Sequence, residues 1–341
     1  MIDIPVFFMM TGVFRGRPAK RLPAMEVAAF LSTRYMIVHY YHSGFSVASG
    51  DTLLVFDYWR GEDLELTEDR QLSEDQIRFF ANVVVFISHE HIDHLDPIVF
   101  TWKDLTNVSY IVSSDMPVGT RGKRMAPGDT YSPLPGVDVT AFDSTDLGVS
   151  FLVDFKGLRV FHAGDLNFWH WREESSMQDI EEADAEFRKV VSTIRGQDID
   201  IAFFPVDPRQ GAMYEAGANY FIMSVKPQIL VPMHYFHRAD VALEYARTAS
   251  SRDTEVIAMP LYGDTIRIET DDEGYLNVTP IRITEPAAKA GNDEKDNGET
   301  ENEAEDETAS DFLDPELDSD NPFYESDLPI PGLSENGDDE V

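Results

Sequence analysis

The stretch VVVFIS, Val83 to Ser88, runs straight into HEHIDHLDP, and no other segment constrains the chain as tightly. Uncharged and rich in β-branched residues, VVVFIS has the length and composition of a strand buried on both faces. Directly after it come His89, His91 and His94, interleaved with Glu90, Asp93 and Asp96. The chain has nine histidines in 341 residues, so three of them inside one short loop need a chemical reason. Protonated imidazoles repel one another, and a solvated loop gains nothing by crowding them. A loop of the form H-x-H-x-D-H can instead feed two adjacent cations, His89 and His91 to one, Asp93 and His94 to the other. Imidazole and carboxylate suit zinc, manganese or iron, which implies one or two divalent metal ions per chain. The sequence has no cysteine, so thiolate ligands and disulfides are both excluded, in keeping with a reducing compartment.

Around this loop the chain alternates strand and helix signals. IVHYY, GFSVAS and TLLVFD read as short strands joined by glycine turns, and Ser73-Glu74-Asp75-Gln76 reads as a capping box opening a helix through about Asn82. Further strands are expected at SYIVSS, VDVTAF, VSFLVDF, LRVFHAG, IDIAFFP and QILVPMH, and helices over Ile180 to Ile194, Tyr214 to Val225 and Asp240 to Thr248. Strands first, then alternation, predict one α/β domain built on mixed sheets over residues 36–284.

The ends differ from this body. Residues 1–35 begin with the apolar MIDIPVFFMMTGVF, but Asp3 precedes the run and Arg15, Arg17, Lys20 and Arg21 follow it. That order is wrong for a secretory signal, and the run is too short to span a bilayer. Residues 1–35 are therefore expected to be an N-terminal extension of uncertain order, with Met36 an alternative start, and the protein to be cytoplasmic without a membrane partner. Residues 285–341 hold 21 acidic and 2 basic residues, more than half of the net charge of −36. Such a composition cannot bury enough apolar surface to offset its ordering entropy, so a disordered acidic tail is expected. Phe312, Leu313, Phe323 and Tyr324 within it offer a short docking motif for a protein partner. An acidic body with an acidic tail repels phosphate backbones, which excludes long nucleic acids and favours a small-molecule substrate.

From about Met36 to Ile283 the chain resembles the metallo-β-lactamase superfamily. The H-x-H-x-D-H loop carries the resemblance, and three further marks follow in order: Asp57 ending TLLVFD, Gly164-Asp165 in VFHAGDL, and His234 in VPMHYF. The resemblance implies an α/β metallo-β-lactamase fold, a four-layer αββα sandwich of two mixed sheets flanked by helices. It also implies a metal set of His89, His91, Asp93, His94, Asp165 and His234, with Asp165 bridging two ions and Asp57 propping the loop. YYHSGFSV, the FDSTDLGVSFLV to FHAGDLNFWHW hairpin and PMHYF are most similar to the branch containing the lactonase that opens ascorbate 6-phosphate.

One departure stands out. The family usually supplies a third histidine to the first metal from the segment that here reads DSTDLG, Asp143 to Gly148. Asp143 or Asp146 is the available oxygen substitute, which predicts a weaker first site. His42, His162 and His170 are candidates for substrate contacts or for support behind the ligands, with Trp169 and Trp171 as a stacking surface. Thr120 to Arg124 is a basic run that could hold an anionic group. The implied reaction is hydrolysis by a metal-bound hydroxide of an ester, lactone or similar bond, with Asp93 or His234 assisting proton transfer. The rival readings are a phosphodiesterase or nuclease of the same superfamily, and a non-catalytic metal-binding scaffold whose acidic tail recruits a partner.

Overall fold

The computed structural model describes residues 34–281 apart from 62–65, 69, 172–174, 250, 252 and 272–274. The chain divides between Ile283 and Thr284 into two units. The acidic tail, and the extension as far as residue 33, lie outside the described residues. Arg34 and Tyr35, which were assigned to that extension, open the first strand, and Tyr35 is buried with its hydroxyl donating to the Lys156 carbonyl.

Two mixed sheets make the frame. The first contains β1 (Arg34–His39), β2 (Phe45–Ser49), β3 (Thr52–Phe56), β4 (Asn82–Ile87), β5 (Asn107–Ser113) and β6 (Lys123–Met125). The second contains β7 (Thr130–Leu134), β8 (Val137–Phe142), β9 (Ser150–Phe155), β10 (Leu158–His162), β11 (Ile201–Pro205), β12 (Ile229–Met233) and β13 (Glu255–Val256). β14 (Thr265–Thr270) and β15 (Leu276–Ile281) return to the first, giving the order β15-β14-β1-β2-β3-β4-β5-β6. The second runs β13-β12-β11-β10-β9-β8-β7. Each sheet is antiparallel on one side and parallel on the other: β3 to β6 run parallel, and so do β10 to β13.

Parallel neighbours need a crossover, and the crossovers supply the outer layers. Helix α1 (Glu74–Phe79) and a 3-10 turn over Pro97–Asp104 serve the first sheet; α2 (Met177–Ile194), α3 (Ala216–Val225) and α4 (Ala239–Ala249) serve the second. The period of two along β3 and β4 sorts their side chains between cores. Leu54, Phe56, Val84 and Phe86 pack toward the second sheet, while Leu53, Val55, Val83 and Val85 pack with Ile77 and Trp102 outside. VVVFIS is thus buried on both faces, as its composition predicts.

Helix α1 has both halves of the Ser73–Gln76 capping box but stops at Phe79, because Asn82 is already paired with Thr52 and Asn107 in the sheet. The basic run Thr120 to Arg124 is mostly spent on structure. Arg124 donates to the carbonyls of Ser114, Met116 and Pro117, Lys123 stands over the Tyr131 ring, and Arg121 over Tyr110. No described helix is long and apolar enough to cross a membrane.

Candidate metal centre

The carboxyl ends of the parallel strands carry the site. Asp57 follows β3, His89 follows β4 by one residue, Asp165 lies just beyond β10, Asp207 beyond β11, and His234 directly after β12. Open α/β sheets present their strand ends this way, and here two sheets do so toward one point. The backbone is strained where it turns into the cluster. Among the described residues six non-glycine residues have positive φ, and four of them are His42, Asp57, His234 and Phe236. Left-handed backbone at such residues costs free energy, and it persists where surrounding contacts over-determine it.

Asp57 is the root of the metal loop. Its carboxylate accepts from the Ser88 backbone N–H at 2.8 Å, from the Ser88 hydroxyl at 2.6 Å, and lies 2.8 Å from His94 Nδ1. The bond to Nδ1 leaves His94 Nε2 as the atom presented to the cluster, the usual arrangement behind a metal-ligating histidine. Two glycines let other loops reach this root. A methyl group on Gly148, at φ +80, would run into the Ser88 carbonyl oxygen and His89 Cβ, and one on Gly164 would meet the Ser88 side chain.

Asp165 joins the two halves. Its Oδ2 lies 3.3 Å from His89 Nε2 and 3.9 Å from His91 Nδ1, while Oδ1 lies 2.9 Å from His94 Nε2 and 3.3 Å from His234 Nε2. Two groups of candidate ligands result among the described residues: His89, His91 and Asp165, and His42, Asp93, His94 and His234. All six residues expected as ligands from the sequence therefore converge on one place. His42, expected beside the metals, joins the second group with Nε2 at 3.4 Å from Asp93 Oδ2 and its ring 3.9 Å from that of His234.

The donor set fits divalent cations. His42 Nδ1 and Nε2, the Nε2 atoms of His89, His94 and His234, and Asp165 Oδ1 are buried without a hydrogen-bond partner. His94 Nε2 and Asp165 Oδ1 are close yet not aligned for a hydrogen bond, as expected of two lone pairs aimed at a common ion. Buried polar atoms are almost always satisfied, so this many unpartnered ring nitrogens around a carboxylate oxygen call for a positive charge. The electrostatics agree. Burial pushes the Asp165 carboxyl up, but His94, His89 and His234 outweigh it and hold it well below the usual carboxylate range. Burial pushes His234 down, and Asp165 and Asp207 outweigh that to lift it to about 9.

The expected oxygen substitutes for the missing histidine do not join the first group. Asp143 and Asp146 are exposed, and their carboxylates cap the neighbouring Ser144 and Leu147 N–H groups. Asp146 acts on His91 only through its charge. The loop is pinned elsewhere: the Thr145 hydroxyl donates to the Asn167 carbonyl at 2.5 Å and accepts from its N–H at 3.0 Å. The first group keeps three donors, and its His91 side chain is 42% exposed.

His162 and His170 stand outside both groups. His162 is buried and stacked on Phe56, with Nε2 donating to the Ser43 carbonyl at 2.9 Å and Nδ1 accepting from the Gly164 N–H at 3.2 Å. It backs Asp57, whose Oδ2 is 3.7 Å away. His170 stacks on Phe168 and is tied to that residue's carbonyl. Trp169 and Trp171 lie parallel to each other, and the Trp169 indole N–H donates to the Asp165 carbonyl at 2.7 Å. Asp207 and Arg209 were not foreseen. Asp207 Oδ2 lies 2.9 Å from His234 Nδ1, the same support that Asp57 gives His94. Its signal was present: FFPVDP repeats the pattern of a buried strand ending in an aspartate.

The chain is similar to several known proteins. No family model matches the chain. A metal-dependent hydrolase from Natranaerobius thermophilus is 24% identical over 208 residues, covering 57% of this chain and 80% of that protein. The structure of a metallo hydrolase from the archaeon Ignicoccus hospitalis aligns with a TM-score of 0.53 at 19% identity, over 70% of this chain and 100% of that one. A metallo-β-lactamase-fold protein from Bacillus subtilis aligns with a TM-score of 0.46 at 15% identity, over 69% and 99%. Two mixed sheets between helical layers, with an H-x-H-x-D-H loop at the strand ends where they meet, give this chain the metallo-β-lactamase fold.

Proposed function

We propose that the protein is a metal-dependent hydrolase acting on an ester, lactone or similar bond of a small molecule. The observation that supports this best is Asp165, which turns one carboxylate oxygen to His89 and the other to His94 and His234. Divalent ions held by such a set supply Lewis acidity toward a carbonyl oxygen and acidify water toward neutrality. The remaining work falls to the side chains. Asp57 and Asp207 fix the rings of His94 and His234 through Nδ1, so that Nε2 is the donor in each. His234 Nδ1 is taken by Asp207 and its Nε2 faces Asp165, so we assign His234 to holding a metal and proton transfer to Asp93. Asp93 is the more exposed of the two, its side chain 20% accessible, and its Oδ2 faces His42 Nε2. The aromatic arm of Trp169 and Trp171 walls one side and limits access of bulk water.

The second group offers four donors and the first three, so we assign the tighter site to His42, Asp93, His94 and His234. The test is turnover by protein loaded in turn with zinc, manganese and iron, on a lactone, a carboxylic ester and bis-4-nitrophenyl phosphate. Ester or lactone cleavage that disappears on chelation and returns with metal supports the reading. Cleavage of the phosphodiester alone, or of nothing with any metal, overturns it.

A further inference from the structure

Arg209 lies beside the cluster, removed from it by one carboxylate, that of Asp207. Its Nε donates to both Asp207 oxygens, at 3.1 and 3.0 Å, and its Nη2 donates to Oδ2 at 2.6 Å. That uses one edge of the guanidinium. No described residue partners Nη1, and the side chain is 47% exposed. It lies over two aromatic rings, with Cζ 4.8 Å from the Phe236 centroid and 5.9 Å from that of Trp171. Both rings lead back to the metal ligands. Phe236 lies 4.0 Å from His42 and 6.0 Å from His234, and Trp171 stacks on Trp169, which lies 5.4 Å from His234. Burial lowers the Arg209 pKa, but Asp207 first, and Asp93 and Asp165 after it, outweigh this and raise it.

A guanidinium gripped along one edge by a buried carboxylate and lying over aromatic rings has lost much of its freedom before any ligand arrives, so a second fork costs little to form. We propose that Arg209 binds a carboxylate of the substrate, with the substrate's apolar or planar body lying along Trp169, Trp171 and Phe236. The free Nη1–Nη2 edge is a planar two-donor fork that matches a carboxylate. The role as a binding residue for hydrolysis rests on the function proposed above, while carboxylate binding by itself does not.

The experiment uses full-length, metal-loaded wild type, Arg209→Gln and Arg209→Lys, compared at equal metal content. Mono-4-nitrophenyl glutarate provides an ester with a carboxylate, and 4-nitrophenyl butyrate a neutral one. In Arg209→Gln the ratio of kcat/KM for the charged over the neutral ester should fall about tenfold, the scale of one lost charge-assisted hydrogen bond, and through KM. Arg209→Lys should recover part of it. Benzoate and benzamide, titrated by calorimetry, test binding without turnover, and only the benzoate affinity should fall about tenfold in Arg209→Gln. An unchanged ester ratio together with unchanged benzoate affinity overturns the proposal, whatever the rate of hydrolysis. If neither ester turns over but benzoate binding still depends on Arg209, the hydrolase reading falls and the carboxylate site stands.

Discussion

Asp207 touches no candidate ion, yet it fixes the ring of the one ligand of the second group that comes from the second sheet. Asp207→Ala should weaken metal binding by about 10- to 100-fold, the usual effect of removing a carboxylate behind a ligating histidine. Metal content after dialysis against a mild chelator is the measurement, with the circular dichroism spectrum unchanged. Occupancy equal to wild type would refute the support role. At the other end of the strands Asp200 predicts a pH effect independent of metal. It accepts from the Arg159 N–H at 2.8 Å and from Gln228 Nε2 at 2.7 Å, and burial raises its carboxyl to about 6. Between the unfolded value of 3.8 and about 6 the folded chain keeps this proton while the unfolded chain has lost it. The folded state binds more protons there, so stability from this group is present below that window and is lost as pH rises through it. The melting temperature of Asp200→Asn minus that of wild type should accordingly be more positive at pH 7 than at pH 4; a difference that is flat with pH would contradict it. At this scale the sequence showed the ligands well, because H-x-H-x-D-H is a local pattern. It hid Asp207, whose partner His234 is 27 positions away, and it hid that His42 closes on Asp93 across two loops.

Elements were legible where burial imposes a period. β3, β4, β11 and β12 are buried at every position or nearly so, and each was read as a strand from its apolar run. β6, β7, β13, β14 and β15 went unread: β6, β7 and β13 are short or exposed and form by pairing with strands already in place, whereas β14 does carry a period of two, with Ile266 and Ile268 buried and Arg267 and Glu269 less so. The loop from Asp143 to Gly148 was legible as a place lacking a ligand, but not as a buttress. Gly148 lies against the Ser88 carbonyl and the root of His89, and its N–H donates to Asp115 at 2.8 Å. Gly148→Ala should cost about 2 to 4 kcal/mol through positive φ and overlap, and lower the melting temperature by roughly 5 to 10 °C. It should also reduce occupancy of the first group before the second, which elemental analysis resolves. A variant as stable and as metal-rich as wild type would show that the loop yields instead.

For the whole molecule, net charge separates what folds from what solvates. Residues 284–341 are dominated by acidic side chains with few apolar ones, so deleting them should leave the melting temperature of the remainder within about 1 °C. A larger fall would mean that Phe312 or Tyr324 contributes to the body. The two ligand groups act on a different scale. Neither sheet holds a complete set: the first supplies His42, His89, His91, Asp93 and His94, the second Asp165 and His234. Each ion would be a rivet driven through both layers, with ligands drawn from positions 42 to 234 of the chain. Neither full set then exists until the layers have docked, so tight loading has to wait for that step. Once loaded, each ion at a hundredfold excess over its dissociation constant adds about 2.7 kcal/mol against unfolding. The supply of divalent metal would thereby bear on the fraction of copies that stay folded as well as on the activity proposed above.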